Sequence, residues 1–317
     1  MLNNNICDIC NSENIDTIFR YNNTLYYTKC LCCGFIKKNP NIVTIDYSIE
    51  YHTKEKLYYS KSLANNYFKR LAKKINPNQY CLEIGGSFGF FSKYLQEYKQ
   101  CIVRNIEPSI FAASYANSQN IRTFNNIYDL DIKLFDYIFL FHVVEHIKAA
   151  DIKNFINNAM ALLKQGGVCY IFTPNANSFS LKLLGKYYTW LAPDEHTNFL
   201  SSNSLNYLVD NNEITLSILE EIPAFIHYPM PSFLSFIRKK LFKHKVNDFI
   251  ELSENTNVKP KLKKIKLILV LKNIFSIFVK LERLLFYPIY RFYNMFSSHK
   301  DELVIELKNV KNNLKIK

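Results

Sequence analysis

Residues 79–94, QYCLEIGGSFGFFSKY, constrain this chain more than any other stretch. Tyr80, Cys81, Leu82 and Ile84 form an apolar run long enough for one buried strand, interrupted only by Glu83. Gly85, Gly86, Ser87 and Gly89 follow at once, and a helical apolar pattern starts at Phe90 and Phe91. Strand, glycine turn and helix in that order make the first half of a nucleotide-binding βαβ unit. The glycines let the backbone turn sharply and let a ligand approach without interference from Cβ atoms. The loop lacks the G-x-x-x-x-G-K-[ST] phosphate cradle, which argues against ATP or GTP hydrolysis. An acid two residues before the first glycine suits a ligand that carries an ammonium group.

The chain has 317 residues, enough for one large domain with an appendage or for two small ones, and 48% apolar residues supply a core. Its start, MLNNNICDIC, has neither a basic segment nor an apolar run, so no secretion signal is expected there. Eight cysteines without an export signal read as thiols or metal ligands in a reducing, cytoplasmic setting. The net charge of +13 leaves two readings open. One is an anionic partner such as a phosphorylated substrate, nucleic acid or membrane surface; the other is a solvated, lysine-rich surface produced by AT-rich coding.

Cys7-x-x-Cys10 and Cys30-x-x-Cys33 are two knuckles with 19 residues between them. Four thiolates on two tight turns can surround Zn2+ tetrahedrally, and the spacing fits a zinc ribbon over residues 1–45. Cys32 is a spare that could replace Cys30. Such a closed site folds or docks; it does no chemistry. Between the knuckles, residues 17–21 and 25–29 read as a hairpin around Asn22-Asn23. Leu57, Leu63, Tyr67, Phe68, Leu71 and Ile75 predict a helix over 54–75. Strands are expected over 101–106, 121–124, 135–141, 168–173 and 215–222, and a helix over 151–164 closed by Gly166 and Gly167.

Five phrases, in order, resemble the class I S-adenosylmethionine-dependent methyltransferases of small molecules, including the ubiquinone-pathway O-methyltransferases. Glu83-x-Gly85-x-Ser87-x-Gly89 is similar to their E/D-x-G-x-G-x-G motif, with Ser87 at the middle glycine. Glu107 ends the second strand. FDYIFLFHVVEHI is similar to FDxIxxxxVxEH, LLKQGGVCYIFTPN to LKPGGxxxxxTPN, and Trp190…His196-Thr197-Asn198-Phe199-Leu200-Ser201 to W…HxxxFS. The resemblance implies an α/β, Rossmann-like seven-stranded sheet in the order 3-2-1-4-5-7-6. It implies an S-adenosylmethionine site formed by Glu83, Gly85, Gly86, Ser87, Gly89, Glu107 (to the ribose), Asn126 (at the adenine) and Phe141. His146 and His196 would take a proton from an acceptor hydroxyl. In some relatives the equivalents of His142, Glu145 and His146 hold a divalent cation, so these residues join the catalytic candidates. Trp190 and His196 would contact the substrate, with Ser202 or Asn203 capping the next helix. Thr173-Pro174-Asn175 differs from the [DNS]PP[YFW] signature of base N-methylation, which makes nucleic acid an unlikely substrate.

DELVIEL at 301–307 resembles the last, antiparallel strand of this fold, which makes 223–300 a helical insertion. Residues 264–292 are strongly apolar but are interrupted by Lys266, Lys272, Lys280, Glu282 and Arg283. They are too broken to span a bilayer. They read as a lid, as a homodimer surface, or as a peripheral membrane contact through 260–292. The acceptor expected from the resemblance is a sugar hydroxyl of a glycan or nucleotide-sugar, as in polysaccharide biosynthesis. A lipid-linked or quinone-type acceptor is second. A non-catalytic, RNA-binding module on the same fold is the alternative of another class.

Overall fold

The computed structural model describes residues 6–42, 54–132, 134–188, 190–209, 213–222 and 299–310, with isolated positions between 277 and 292. The chain divides into two compact units. One comprises residues 1–186, 190–223 and 299–317, the other 187–189 and 224–298. All elements below lie in the first; the expected insertion at 223–300 lies outside the described residues except for those isolated positions and residues 299–300. Along the chain they are β1 (Ile15–Arg20), β2 (Tyr26–Cys30), β3 (Ile36–Asn39), α1 (Lys54–Leu71), β4 (Tyr80–Ile84), α2 (Phe90–Lys99), β5 (Ile102–Ile106) and α3 (Ile110–Ser118). There follow β6 (Thr123–Phe124), β7 (Phe135–Phe141), α4 (Ile152–Ala161), β8 (Leu163–Pro174), α5 (Phe179–Leu184), β9 (Asn198–Phe199), α6 (Ser202–Leu205), β10 (Ile214–Ile222) and β11 (Glu302–Asn309).

Seven strands form one sheet in the order β6-β5-β4-β7-β8-β11-β10. Numbered by chain position within the sheet, this is 3-2-1-4-5-7-6, the expected α/β Rossmann-like order. Strands β4 to β8 pair in parallel. β11 runs antiparallel between β8 and β10. The winding reverses between β4 and β7, and an open α/β sheet binds its ligand beyond the strand ends at such a point. The glycine loop after β4 and His142–His146 after β7 both emerge there.

Strand periodicity sends alternate side chains to opposite faces. Leu82, Ile84, Ile138, Leu140, Ile171 and Ile305 pack on one face, against Ile152 and Ile156 of α4. Cys81, Phe139, Tyr170, Phe172 and Val304 pack on the other, against Tyr67 and Leu71 of α1 and Phe91 and Leu95 of α2. Glu83 shares the second face. Sheets covered on both sides read as continuous apolar runs, as 135–141 does.

Two local signals resolve differently from their sequence reading. The helix expected over 151–164 ends at Ala161, and β8 starts at Leu163 and runs through Gly166-Gly167. Those glycines do not cap a helix. They form a bulge: Phe135 pairs with Leu163, but Tyr137 pairs with Val168. Gly166 has φ +75, and a Cβ on Gly167 would sit 2.9–3.1 Å from the carbonyls of Lys164, Asp136 and Phe135. Only glycine lets the bulged chain approach its neighbour so closely. The N-cap of α6 is Ser201, not Ser202 or Asn203, in a reciprocal capping box with Ser204.

The cysteine knuckles belong to a second, antiparallel sheet, β1-β2-β3-β9. The hairpin Arg20↔Tyr26 turns around Asn22-Asn23 as expected, with Asn22 Oδ1 accepting from the backbone of Thr24 and Leu25. The fourth strand comes from far outside residues 1–45: Ile36 pairs with Phe199 and Lys37 with Asn198.

Candidate functional site

The glycine loop departs from ordinary backbone at every second residue. Gly85, Ser87 and Gly89 have φ of 73°, 52° and 73°. An alternating glycine motif is what this backbone needs, since left-handed geometry costs a residue with a Cβ about 1 kcal/mol. Ser87 bears that strain. Gly86 answers a different demand. A Cβ there would lie 2.0 Å from Asn105 Oδ1 and 2.8 Å from Glu83 Cδ.

Two buried carboxylates hold this loop from either side. Glu83 accepts from Ser92 N and Oγ of α2 at 3.0 and 2.6 Å. Burial pushes its carboxyl up to about 7, against the Ser92 hydrogen bonds, with Glu107 adding to the rise. Glu107 accepts from Ser87 N and Ser109 N, both at 2.8 Å, so it spans from the loop to the start of α3. Burial raises it to about 7 as well, against those two bonds. Ser109 caps α3, accepting from Ala112 N. A carboxylate with two backbone donors keeps further lone pairs that can accept from a diol. Asn126 is exposed and caps the turn 127–129 through Tyr128 N. Phe141 stacks on Tyr67, ring centres 4.4 Å apart.

Beyond β7, His142 takes φ 54°, and its ring lies between two fully buried acids. Nδ1 is 2.8 Å from Glu145 Oε1 and Nε2 is 2.8 Å from Glu302 Oε1. Burial opposes charge on the ring, but Glu145 and Glu302 together lift its pKa to about 10. Burial likewise opposes ionisation of Glu145, but His142 brings it down to about 2. His142 is therefore an imidazolium clamped between two carboxylates, with both nitrogens committed. Glu145 also accepts from Thr173 Oγ1 at 3.1 Å. Glu302, which opens β11 160 residues downstream, carried no sequence signal beyond an acid at the head of an apolar run.

The loop after α5 closes over this segment. Thr197 N donates to Glu145 O at 2.9 Å, and Asn198 Nδ2 donates to Ile147 O at 2.6 Å. His146 and His196 meet edge to face, ring centres 4.8 Å apart. His146 Nδ1 lies 2.9 Å from Glu195 O, and His196 Nδ1 lies 2.6 Å from Trp190 O. Burial and the neighbouring His146 push His196 down to about 3, so it is neutral near pH 7. Trp190 is itself buried, its ring 5.4 Å from that of His142. The two strand ends also touch: a Cβ on Gly85 would come within 2.7 Å of Val143 Cγ2. The glycine loop thus meets the segment that carries His146 at Val143, three residues before that histidine.

Cys7, Cys10, Cys30 and Cys33 bring their sulfurs within 4.8 Å of one another. Cys7 and Cys33 are 3.6 Å apart, Cys10 and Cys30 3.5 Å. A thiolate tetrahedron around Zn2+ has edges of about 3.8 Å, so the four fit the ion. Cys32 is exposed and outside the group.

Residues 56–216, about half the chain, match the methyltransferase-domain family. No curated protein matches the sequence. Similar solved structures include an S-adenosylmethionine-dependent methyltransferase from Archaeoglobus fulgidus, at 14% identity, TM-score 0.48, covering 81% of this chain and 97% of that chain. The cyclopropane synthase MmaA2 of Mycobacterium tuberculosis is 15% identical, TM-score 0.46, covering 86% and 91%. Haemonchus contortus phosphoethanolamine N-methyltransferase 2, in complex with S-adenosyl-L-methionine, is 12% identical, TM-score 0.47, covering 82% and 58%.

Proposed function

The chain belongs to the methyltransferase-domain family and is an S-adenosylmethionine-dependent methyltransferase, and we propose that it methylates a hydroxyl of a small molecule, first of all a sugar of a glycan or nucleotide-sugar. One observation carries the reading. A pair of imidazoles meets edge to face, His146 just beyond the end of β7 at the switch point of the sheet and His196 against it, and such a pair can take the proton of an acceptor hydroxyl.

S-adenosylmethionine, when bound, supplies a sulfonium methyl group. The residues present fit it. The loop 85–89 offers backbone without side chains at Gly85, Gly86 and Gly89, and Glu107 at the end of β5 offers a carboxylate for the ribose diol. Glu83 works at one remove, tying the loop to α2 through Ser92. Phe141 and Asn126 complete the cofactor side. The His142 imidazolium holds Glu145 and Glu302 together beneath the acceptor side, and Glu145 holds the backbone of the His196 loop through its carbonyl. The protein's main contribution is alignment of the acceptor oxygen with the methyl group. The two Nε2 lone pairs deal with the acceptor's proton. Cys7, Cys10, Cys30 and Cys33 would hold a structural Zn2+. The lipid-linked alternative rests on 260–292, of which only isolated positions are among the described residues; among those described, no helix is long and apolar enough to cross a membrane.

The test is calorimetric titration with S-adenosylmethionine for wild type and Glu107→Ala, followed by transfer of radiolabelled methyl to a panel of nucleotide-sugars and oligosaccharides. Micromolar binding lost in the variant, with label incorporated into a sugar, is expected. Binding without transfer to any hydroxylated acceptor, alongside transfer to an amine, would overturn the hydroxyl assignment.

A further inference from the structure

Besides the four cysteines, one other group of ligand atoms among the described residues gathers within 4.8 Å: one each from Glu145, His146 and His196. The hydrogen-bond partners fix how the two rings are presented. A backbone carbonyl can only accept. His146 Nδ1 faces the carbonyl of Glu195, and His196 Nδ1 faces that of Trp190. Each Nδ1 therefore carries the hydrogen, and in the neutral ring each Nε2 offers a lone pair. An Nδ1–H bonded to a carbonyl is the outer support that orients metal-binding imidazoles and makes their other nitrogen more basic. Glu145 adds a fully buried negative charge, its two oxygens already braced by His142 and Thr173. The spacing is locked through the backbone, because Thr197 N donates to Glu145 O and joins the His146 turn to the His196 loop.

We infer that Glu145, His146 and His196 bind a divalent transition-metal ion. Two imidazoles and one carboxylate suit Zn2+, Co2+, Fe2+ or Mn2+ rather than Mg2+ or Ca2+, which favour all-oxygen shells. This is not the trio of His142, Glu145 and His146 that the resemblance implied. His142 spends both nitrogens on carboxylates, and His196, 50 residues further on, supplies the third ligand instead. Three protein ligands leave coordination positions for an acceptor oxygen. A hydroxyl bound there loses its proton to water at lower pH than a free one, so with the ion present the two imidazoles act through it and are not themselves the bases. What the ion does rests on the proposed function; its binding does not.

The test uses the full chain, stripped of metal and titrated with Co2+. The cysteine site reports through sulfur-to-cobalt charge-transfer absorption, which an imidazole–carboxylate site lacks. Wild type should take up a further equivalent of Co2+ after the charge-transfer band saturates. His146→Gln and His196→Ala should each lose that equivalent and keep the band, which also shows that they are folded. Saturation of the band with no further uptake by wild type, or further uptake retained by both variants, would overturn the inference. S-adenosylmethionine binding, measured on the same samples, separates the two proposals. Cofactor binding without the second ion sinks only the metal site, and the second ion without cofactor binding sinks only the methyl-transfer reading.

Discussion

Glu107 should make the fold less stable as pH rises, and Glu107→Gln should remove that slope. An unfolded glutamate ionises near 4.5, whereas Glu107 in the fold keeps its proton to about 7 because burial outweighs the bonds from Ser109 N and Ser87 N. Between those values the folded state binds more protons than the unfolded one, so stability falls as pH rises. The gap between 4.5 and about 7 corresponds to an upper bound of about 3 kcal/mol. Glutamine keeps the volume and cannot ionise. Urea unfolding of both proteins across the range gives the difference in stability, in which the titrating groups that do not feel Glu107 cancel; Glu83, raised in part by Glu107, shifts with it. The wild-type advantage should shrink by about 3 kcal/mol between roughly pH 4 and pH 8. Cofactor affinity should move the opposite way. The ionised carboxylate is the form that accepts from a ribose diol, so wild-type affinity should weaken about tenfold per pH unit below 7, while the variant stays weak and flat. Parallel stability curves for the two proteins would refute the assignment of a buried, half-titrated Glu107, and with it the clamp between loop and α3.

Three further outcomes follow from described contacts. Gly86→Ala forces a Cβ against Asn105 Oδ1 and Glu83 Cδ and should cost about 1–3 kcal/mol in urea unfolding; a change under about 0.5 kcal/mol would mean the cradle is loose. His142→Gln leaves Glu145 and Glu302 facing one another without a buried cation, and should destabilise by about 3–5 kcal/mol; Glu302→Gln in the same background should restore part of it. Cys33→Ser should remove one equivalent of zinc from the purified protein and lower its Tm, measured by mass spectrometry of metals and differential scanning calorimetry, whereas Cys32→Ser should change neither.

What sequence alone revealed divides along the range of the interactions. β4, its loop and α2 were legible because every determinant lies within 79–94, and even the Ser87 departure reappears as a left-handed residue at the position where the motif has glycine. The sheet order, which runs out of chain sequence, was legible only through the resemblance, because five phrases recur along the chain in the order that family has them. Gly166-Gly167 misled because a helix C-cap and a β-bulge ask for the same glycine freedom; only the neighbouring strand's carbonyls distinguish them. His142 misled for a similar reason. Its partner Glu145 is three residues away, but the partner that commits its second nitrogen, Glu302, is 160 residues away in another strand. Asn198–Phe199 carries no strand signature at all, because two residues pair there only by virtue of an edge presented by β3.

That short pairing means the amino-terminal sheet cannot be trimmed away to leave a smaller enzyme. Phe199 and Tyr27 are fully buried against one another, Tyr27 Oη donates to the His196 carbonyl, and Ser201 Oγ donates to the Cys33 carbonyl. Deleting the first 42 residues would strip the cover from Phe199 and leave the β9 backbone as a bare edge next to His196, the kind of surface on which chains stack and precipitate. Oxidation of the four knuckle cysteines would loosen the same wall. The ribbon-like sheet and the loop bearing His196 therefore have to be inherited, expressed and engineered as a single piece.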